Sequence, residues 1–210
     1  MWRDEDLTPG LKPTLSMASN VRAEARTYLR NNDVESVQMF VHLISMTTKA
    51  IHPGARIGHV HLKVADLQRR LDFYCGVLGL ELQQKFGTQA EFISAGGYHH
   101  HIGLNTWESL GGQPPTPGTT GLYHTALLYP TKAALGDALK RLIAAKIPLD
   151  GAADHGVSEA LYLRDPDENG VELYWDRPES EWRRTPAGEL AMFTRGLDLK
   201  KLLDAADSGI

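Results

Sequence analysis

The sequence predicts an α+β fold of two βαβββ modules forming an open, curved mixed sheet, with a helical extension ahead of them. Three observations carry this expectation. Apolar and polar residues alternate over 57–64 as in a strand with one buried face. The same strand, helix and strand order then recurs on the far side of a Gly/Pro-rich break at 111–118. A histidine opens each copy, His59 in the first and His124 in the second.

The 210 residues hold one domain of ordinary size plus an extension. With 42% hydrophobic and 23% charged residues the composition is that of a globular protein, and no apolar run approaches the roughly 20 residues of a membrane-spanning helix. Lys plus Arg number 22 against 26 Asp plus Glu, so there is no broad basic surface for nucleic acid, and small-molecule work is expected. The single cysteine, Cys75, excludes an internal disulfide and a multi-cysteine zinc site and suits a cytoplasmic location. Beside Phe73 and Tyr74 on a predicted helix, it reads as a structural thiol. Nine histidines is the oddity, seven of them between positions 59 and 155. Imidazole is the commonest nitrogen ligand for transition metals.

Residues 1–55 form the extension. Thr8, Pro9, Gly10 and Pro13 break its start, Ser19 or Asn20 can cap a short helix over 21–29, and an apolar patch follows at 37–44. It lacks the pattern of a secretory signal. Met46-Thr-Thr-Lys-Ala looks like a natural start, so residues 1–45 are expected to contribute little to chemistry.

The first module is expected over 56–110. In its opening strand, His59 and His61 share the polar face opposite Val60, Leu62 and Val64. Asp66 can cap a helix carrying Leu67, Leu71, Tyr74 and Leu78 at helical spacing, and Gly79 is placed to end it. Strands are expected at 81–86, 90–94 and 98–105. The second module, 119–180, repeats the order: a strand at 122–129, Thr131 as cap, and a helix with Leu135, Ala138, Leu139 and Leu142 on one face. Strands near 148–149, 160–163 and 171–175 follow, and 181–210 is a C-terminal tail with a short helix.

A mononuclear iron site that admits both substrate and dioxygen needs three protein ligands on one face, commonly two histidines and a carboxylate. His59, His124 and Glu172 can supply that set, making the curved sheet the wall of a metal site. Each lies on a strand that the repeat makes equivalent or adjacent, and Glu172 alternates with Val171 and Leu173. Trp107, Tyr129 and Trp175 are candidates for an aromatic pocket, with core packing as the competing role.

The segment Asp154-His-Gly-Val-Ser-Glu-Ala-Leu-Tyr-Leu-Arg-Asp-Pro-Asp-Glu-Asn-Gly-Val-Glu-Leu-Tyr-Trp-Asp-Arg-Pro resembles the end of the catalytic domain in extradiol catechol dioxygenases. These belong to the vicinal-oxygen-chelate superfamily of glyoxalases, bleomycin-resistance proteins and extradiol dioxygenases; the resemblance is strongest to catechol-2,3-dioxygenase-like members. Ile57-Gly-His-Val and Gly96-Gly-Tyr-His-His-His-Ile-Gly-Leu resemble further motifs of that family. The resemblance implies an Fe(II) enzyme, with Mn(II) as the alternative ion, acting on a small aromatic diol with O2. It implies no nucleic-acid or membrane partner and is compatible with a homo-oligomer. It assigns His59, His124 and Glu172 to the metal, and His155 and Tyr162 to the substrate oxygens. The acid–base group is His100 if the motif is anchored on Ile102-Gly-Leu and His99 if on Gly96-Gly97; strand parity would put the two on opposite faces. Many family members carry a second pair of modules, for which this chain has no room, and the spacing from His155 to Glu172 is about two residues shorter than in some. A glyoxalase-like lyase on the same fold is the second reading, weakened by His99-His100-His101 where such enzymes commonly have a carboxylate late in the first module. A metal-free binding protein of the bleomycin-resistance type is the third.

Overall fold

The computed structural model describes residues 50–208. The chain divides into one unit ending at Arg56 and another starting at Ile57. The expected helix over 21–29 and the patch at 37–44 lie outside the described residues.

In the second unit the chain opens with β1 (Val60–Lys63) and turns at Asp66 into α1 (Leu67–Leu71). The Asp66 carboxylate accepts from Arg69 N at 2.9 Å, which satisfies one of the free N–H groups at the helix start. The helix then widens into a π-helical turn over Asp72–Val77, and adjacent Phe73 and Tyr74 both enter the core. It ends at Gly79, whose φ of +85° lets the chain reverse. Three strands complete the module: β2 (Glu81–Phe86), β3 (Ala90–Ser94) and β4 (Ile102–Asn105). Their sheet runs β1-β4-β3-β2, with β1 parallel to β4 and the other pairs antiparallel.

The second module repeats this plan with β5 (Thr125–Leu128), α2 (Lys132–Ala144), β6 (Gly151–Asp154), β7 (Ser158–Arg164) and β8 (Gly170–Asp176). Thr131 caps α2, its hydroxyl accepting from Ala134 N at 3.1 Å, and the four helical residues expected inward are buried. The sheet runs β5-β8-β7-β6-β9, where β9 (Arg195–Gly196) comes from the C-terminal segment. That segment is therefore more than a tail. Beyond the strand it forms α3 (Leu199–Ser208), which buries Leu202 against the common core. Each module thus has its own sheet, and β1 and β5 are both edge strands.

Two expected strands are displaced. The strand expected near 148–149 lies at Gly151–Asp154, where the partner β7 offers its ladder, and that expected over 98–105 begins only at Ile102. Gly96 and Gly97, at φ of +65° and +74°, throw the chain into a loop that carries His99 to His101.

One apolar core joins both modules, with Ile93, Ile102 and Leu104 of the first packed in the same cluster as Leu139, Leu161 and Leu173 of the second. Each such side chain contributes about 1.5–3 kcal/mol by leaving water. A buried polar tie runs through it. Arg70, fully buried on α1, faces Asp165 (Nη1–Oδ1 3.1 Å) and Asp167 on the β7–β8 turn. Its nitrogens meet these carboxylates as ion-pair contacts without well-directed hydrogen bonds. Tyr74 donates to Asp165 Oδ2 at 3.1 Å, Ala65 N to Asp167 Oδ2 at 2.8 Å, and Asn169 N to Asp165 Oδ1 at 2.9 Å. The turn that launches β8 is thereby bolted to the first module's helix.

Candidate functional site

Glu172 sits on β8 between buried Val171 and Leu173, so its side chain leaves the core on the opposite face. Directly across the ladder is Tyr162 on β7, whose hydroxyl donates to Glu172 Oε1 at 3.0 Å. The same phenol oxygen lies 2.8 Å from His155 Nε2, on the turn between β6 and β7. Burial, followed by the Glu172 charge and hydrogen bond, pushes the Tyr162 phenol up to about 12. On the other side His124, immediately ahead of β5, brings its Nε2 to 2.9 Å from Glu172 Oε2. His124, Glu172, Tyr162 and His155 therefore form one unbroken line of contacts, of which His124 and Tyr162 line a cavity of about 230 Å³.

The approach of His124 depends on Gly170. A Cβ there would fall 2.0 Å from Tyr123 O and 3.1 Å from His124 Cα, so only glycine lets the backbone before β5 run this close to the start of β8. The pair suits a metal ion. Two ligand atoms each about 2.1 Å from an ion and at right angles lie about 3.0 Å apart, close to the observed separation. His124 Nδ1 is buried without a hydrogen-bond partner among the described residues.

His59 takes the matching place immediately ahead of β1, yet it does not join this pair. Its ring packs on His100, with centroids 4.4 Å apart, and it lines a separate cavity of about 500 Å³ along the edges of β1 and β5. Among the described residues no three His, Cys, Asp or Glu side chains come together as a ligand group. The structure thus brings together His124, Glu172, Tyr162 and His155, and leaves His59 and His100 as a second group.

The expectation that His99 and His100 face opposite ways fails. Both lie on the loop ahead of β4, where strand parity does not apply, and their Nδ1 atoms are 2.7 Å apart. Burial first, then the neighbouring imidazoles His59, His99, His61 and His101, lower the pKa of His100. Trp107, Tyr129 and Trp175 do not share a pocket either. Trp107 packs on His61, Tyr129 lines the larger cavity, and the Trp175 ring centre lies 6.0 Å from the Lys132 ammonium and 5.9 Å from the Arg177 guanidinium.

His61 is the residue whose role sequence reasoning missed. It pairs with Gly103, and a Cβ on that glycine would stand 3.0 Å from its ring. Because Val60 pairs with Ile102 as Thr125 pairs with Val171, Gly103, rather than His99 to His101, is the first module's counterpart of Glu172. His61 occupies the space above it, flanked by Phe92 and Trp107 with ring centroids at 6.1 and 5.6 Å. The signal was its place two residues after His59, on the same strand face.

Paired modules of this topology, with a histidine ahead of each opening strand and a glutamate on the last, define a class of protein. A sequence model of the Glyoxalase/Bleomycin resistance protein/Dioxygenase superfamily matches residues 56–173, and the chain belongs to that superfamily. Within it, the chain is 43% identical to "Catechol-2,3-dioxygenase" of Bacillus subtilis (strain 168), over 75% of this chain and 54% of that protein. It is 34% identical to "Biphenyl-2,3-diol 1,2-dioxygenase 2" of Rhodococcus globerulus, over 58% of this chain and 63% of that protein. The chain thus spans about half to two-thirds of the length of these relatives. A crystal structure of a glyoxalase/dioxygenase from Nostoc punctiforme, 21% identical, superimposes with a TM-score of 0.51 over 63% of this chain and 99% of that one, a likeness of fold.

Proposed function

We propose that this chain is an extradiol ring-cleaving dioxygenase, inserting both atoms of O2 into a catechol-type aromatic diol at a mononuclear Fe(II) site. The observation that supports the reading is the His124–Glu172–Tyr162–His155 line, which has an imidazole and a carboxylate, both types able to ligate a metal, beside two groups able to bond to diol oxygens. Similarity to relatives named for cleaving catechol and biphenyl-2,3-diol supports it.

His124 and Glu172 would hold the ion. His59, which packs on His100 apart from this pair, is proposed as the third ligand because it precedes β1 as His124 precedes β5, and joining the ion would require its side chain to move. Fe(II), once bound, would supply the redox chemistry linking diol and dioxygen; Mn(II) suits the same two nitrogens and a carboxylate. Tyr162 would donate its phenol hydrogen to a diol oxygen, and His155 Nε2 beside it would accept a hydrogen from the neighbouring hydroxyl. His100, packed on His59, is proposed as the acid–base group that takes and returns a proton.

The test is anaerobic loading of the full chain with Fe(II), followed by oxygen and a panel that includes catechol and biphenyl-2,3-diol. A yellow ring-opened product is expected, lost together with the metal in His124→Ala and Glu172→Gln. Full metal loading with no product from any diol would refute the dioxygenase reading, and undiminished loading in both variants would refute the metal assignment.

A further inference from the structure

The superfamily match ends at residue 173, but the chain beyond it returns to the site. After β8 it turns at Trp182, whose indole N–H donates to Arg177 O at 2.9 Å, and runs back to pair β9 with β6, Arg195 opposite Asp154. Just before this pairing it crosses the turn that carries His155. Phe193 N donates to His155 O at 3.2 Å, and Phe193 O lies 3.1 Å from His155 Nδ1, with the Thr194 hydroxyl 3.2 Å from the same nitrogen. The Phe193 ring lies on Gly156, where φ is +79° and a Cβ would be 2.6 Å from the ring, and the Arg195 guanidinium covers the same ring at 4.4 Å.

A carbonyl oxygen can only accept, so a hydrogen bond between His155 Nδ1 and Phe193 O requires the hydrogen on Nδ1, with the Thr194 hydroxyl as a second acceptor. In the neutral ring this leaves Nε2 as a bare acceptor aimed at Tyr162. The phenol has one hydrogen and two acceptors in reach, Glu172 Oε1 at 3.0 Å and His155 Nε2 at 2.8 Å. Whichever acceptor is engaged elsewhere releases that hydrogen to the other. A ring of the opposite tautomer would present N–H to the phenol and could not take part in this exchange.

We propose that residues 193–195 form a positioning strap that holds His155 as the Nδ1–H tautomer, through the Phe193 carbonyl, with the Phe193 ring locking the strap onto Gly156. The strap prepares His155 Nε2 to receive a hydrogen bond from Tyr162 or from a bound diol hydroxyl, and for the diol it rests on the ring-cleavage reading. Phe193 and Thr194 act through His155 and touch no reacting atom.

The test reads the tautomer itself. The full-length, metal-free protein labelled with 15N-histidine is measured by NMR at about pH 9, above the ordinary imidazole range, with His155 assigned by loss of its signals in His155→Gln. The expected wild-type pattern is a protonated Nδ1 and a bare Nε2. Phe193→Ala should give a mixture or the opposite tautomer and lower kcat/KM on a cleaved diol by roughly 10- to 100-fold, the range for groups that orient a functional histidine. Phe193→Leu, which refills the space over Gly156, should restore both. A wild-type Nε2–H tautomer, or Phe193→Ala retaining the Nδ1–H pattern, overturns the proposal. Wild-type protein that shows the expected pattern but cleaves no diol supports the strap and removes the ring-cleavage reading alone.

Discussion

Replacing Gly170 with alanine should open the His124–Glu172 pair without substituting either residue. The added methyl would lie 2.0 Å from Tyr123 O, where heavy atoms in contact prefer about 3.5 Å, so about 1.5 Å must be found. The opposing atom is a backbone carbonyl, which cannot swing aside as a side-chain end would. Either the segment carrying Tyr123 and His124 retreats or the start of β8 does, and both movements open the 2.9 Å gap between His124 Nε2 and Glu172 Oε2. At about 4 Å the two atoms could share an ion only at an angle opened to about 130°, and at about 4.4 Å only in a straight line, since each must lie within about 2.2 Å of it. Overpacking of this kind costs about 1–3 kcal/mol, a fall in Tm of roughly 2–12 °C for a domain of this size. Calorimetry and Mn(II) or Fe(II) titration would measure the two effects, with Gly121→Ala as control, because a Cβ there meets nothing within 4 Å. Metal affinity is expected to fall at least tenfold in Gly170→Ala and to hold in Gly121→Ala. Equal affinities in the two variants would refute the argument, even if Gly170→Ala were less stable, because the strain would then have relaxed away from the pair.

Two further predictions concern the scaffold. Arg70→Met should destabilise by about 3–5 kcal/mol in urea unfolding, because it strands the carboxylates of Asp165 and Asp167, whereas Tyr74→Phe, which removes one hydrogen bond to a carboxylate worth about 1.5–3 kcal/mol, should cost less; equal losses would show that the guanidinium is not balancing that charge. At Asp154, burial raises the carboxyl pKa, but the Gly156 N–H and the Arg177 guanidinium outweigh it and hold the group below its usual range. A carboxyl depressed in the folded state stabilises above its unfolded pKa of about 3.9 and loses that contribution as pH falls through the folded value. The stability gap between the wild type and Asp154→Asn should therefore be full at neutral pH and close in acid, and a gap independent of pH would contradict the assignment.

What was legible in the sequence is what short-range chemistry determines. Asp66 and Thr131 were readable as caps because each bonds to a backbone N–H three residues on, within the same stretch of chain. Glu172 was readable as outward-facing because Val171 and Leu173 bracket it with period two. The site residues missed or misplaced depend on partners far along the chain. β6 has no strong apolar signal of its own and exists where β7 pairs with it, so the more apolar 148–149 drew the strand away. The His99 and His100 orientations assumed a strand that the Gly96–Gly97 turn delays. The approach of His124 to Glu172 needs Gly170, and no periodicity links that glycine to position 123.

The deeper limit lies in the repeat itself. Matching the modules by element order makes His59 and His124 equivalent and suggests that the late position of each module should compare directly. The ladders show a cross-strand exchange instead. In the second module the small residue, Ala126, is on the opening strand and the large polar one, Glu172, on the last; in the first, His61 is on the opening strand and Gly103 on the last. Side chains paired across a parallel ladder lie on the same face, and at these two rungs one strand supplies the large group and the other a small residue; at the first, the His61 ring fills the space a Cβ on Gly103 would take. An imidazole from β1 and a carboxylate from β8 thus fill corresponding places from opposite strands. A comparison of the halves position by position sees a glutamate replaced by glycine and records a loss, while the fold keeps a metal-ligating type of side chain at the equivalent point.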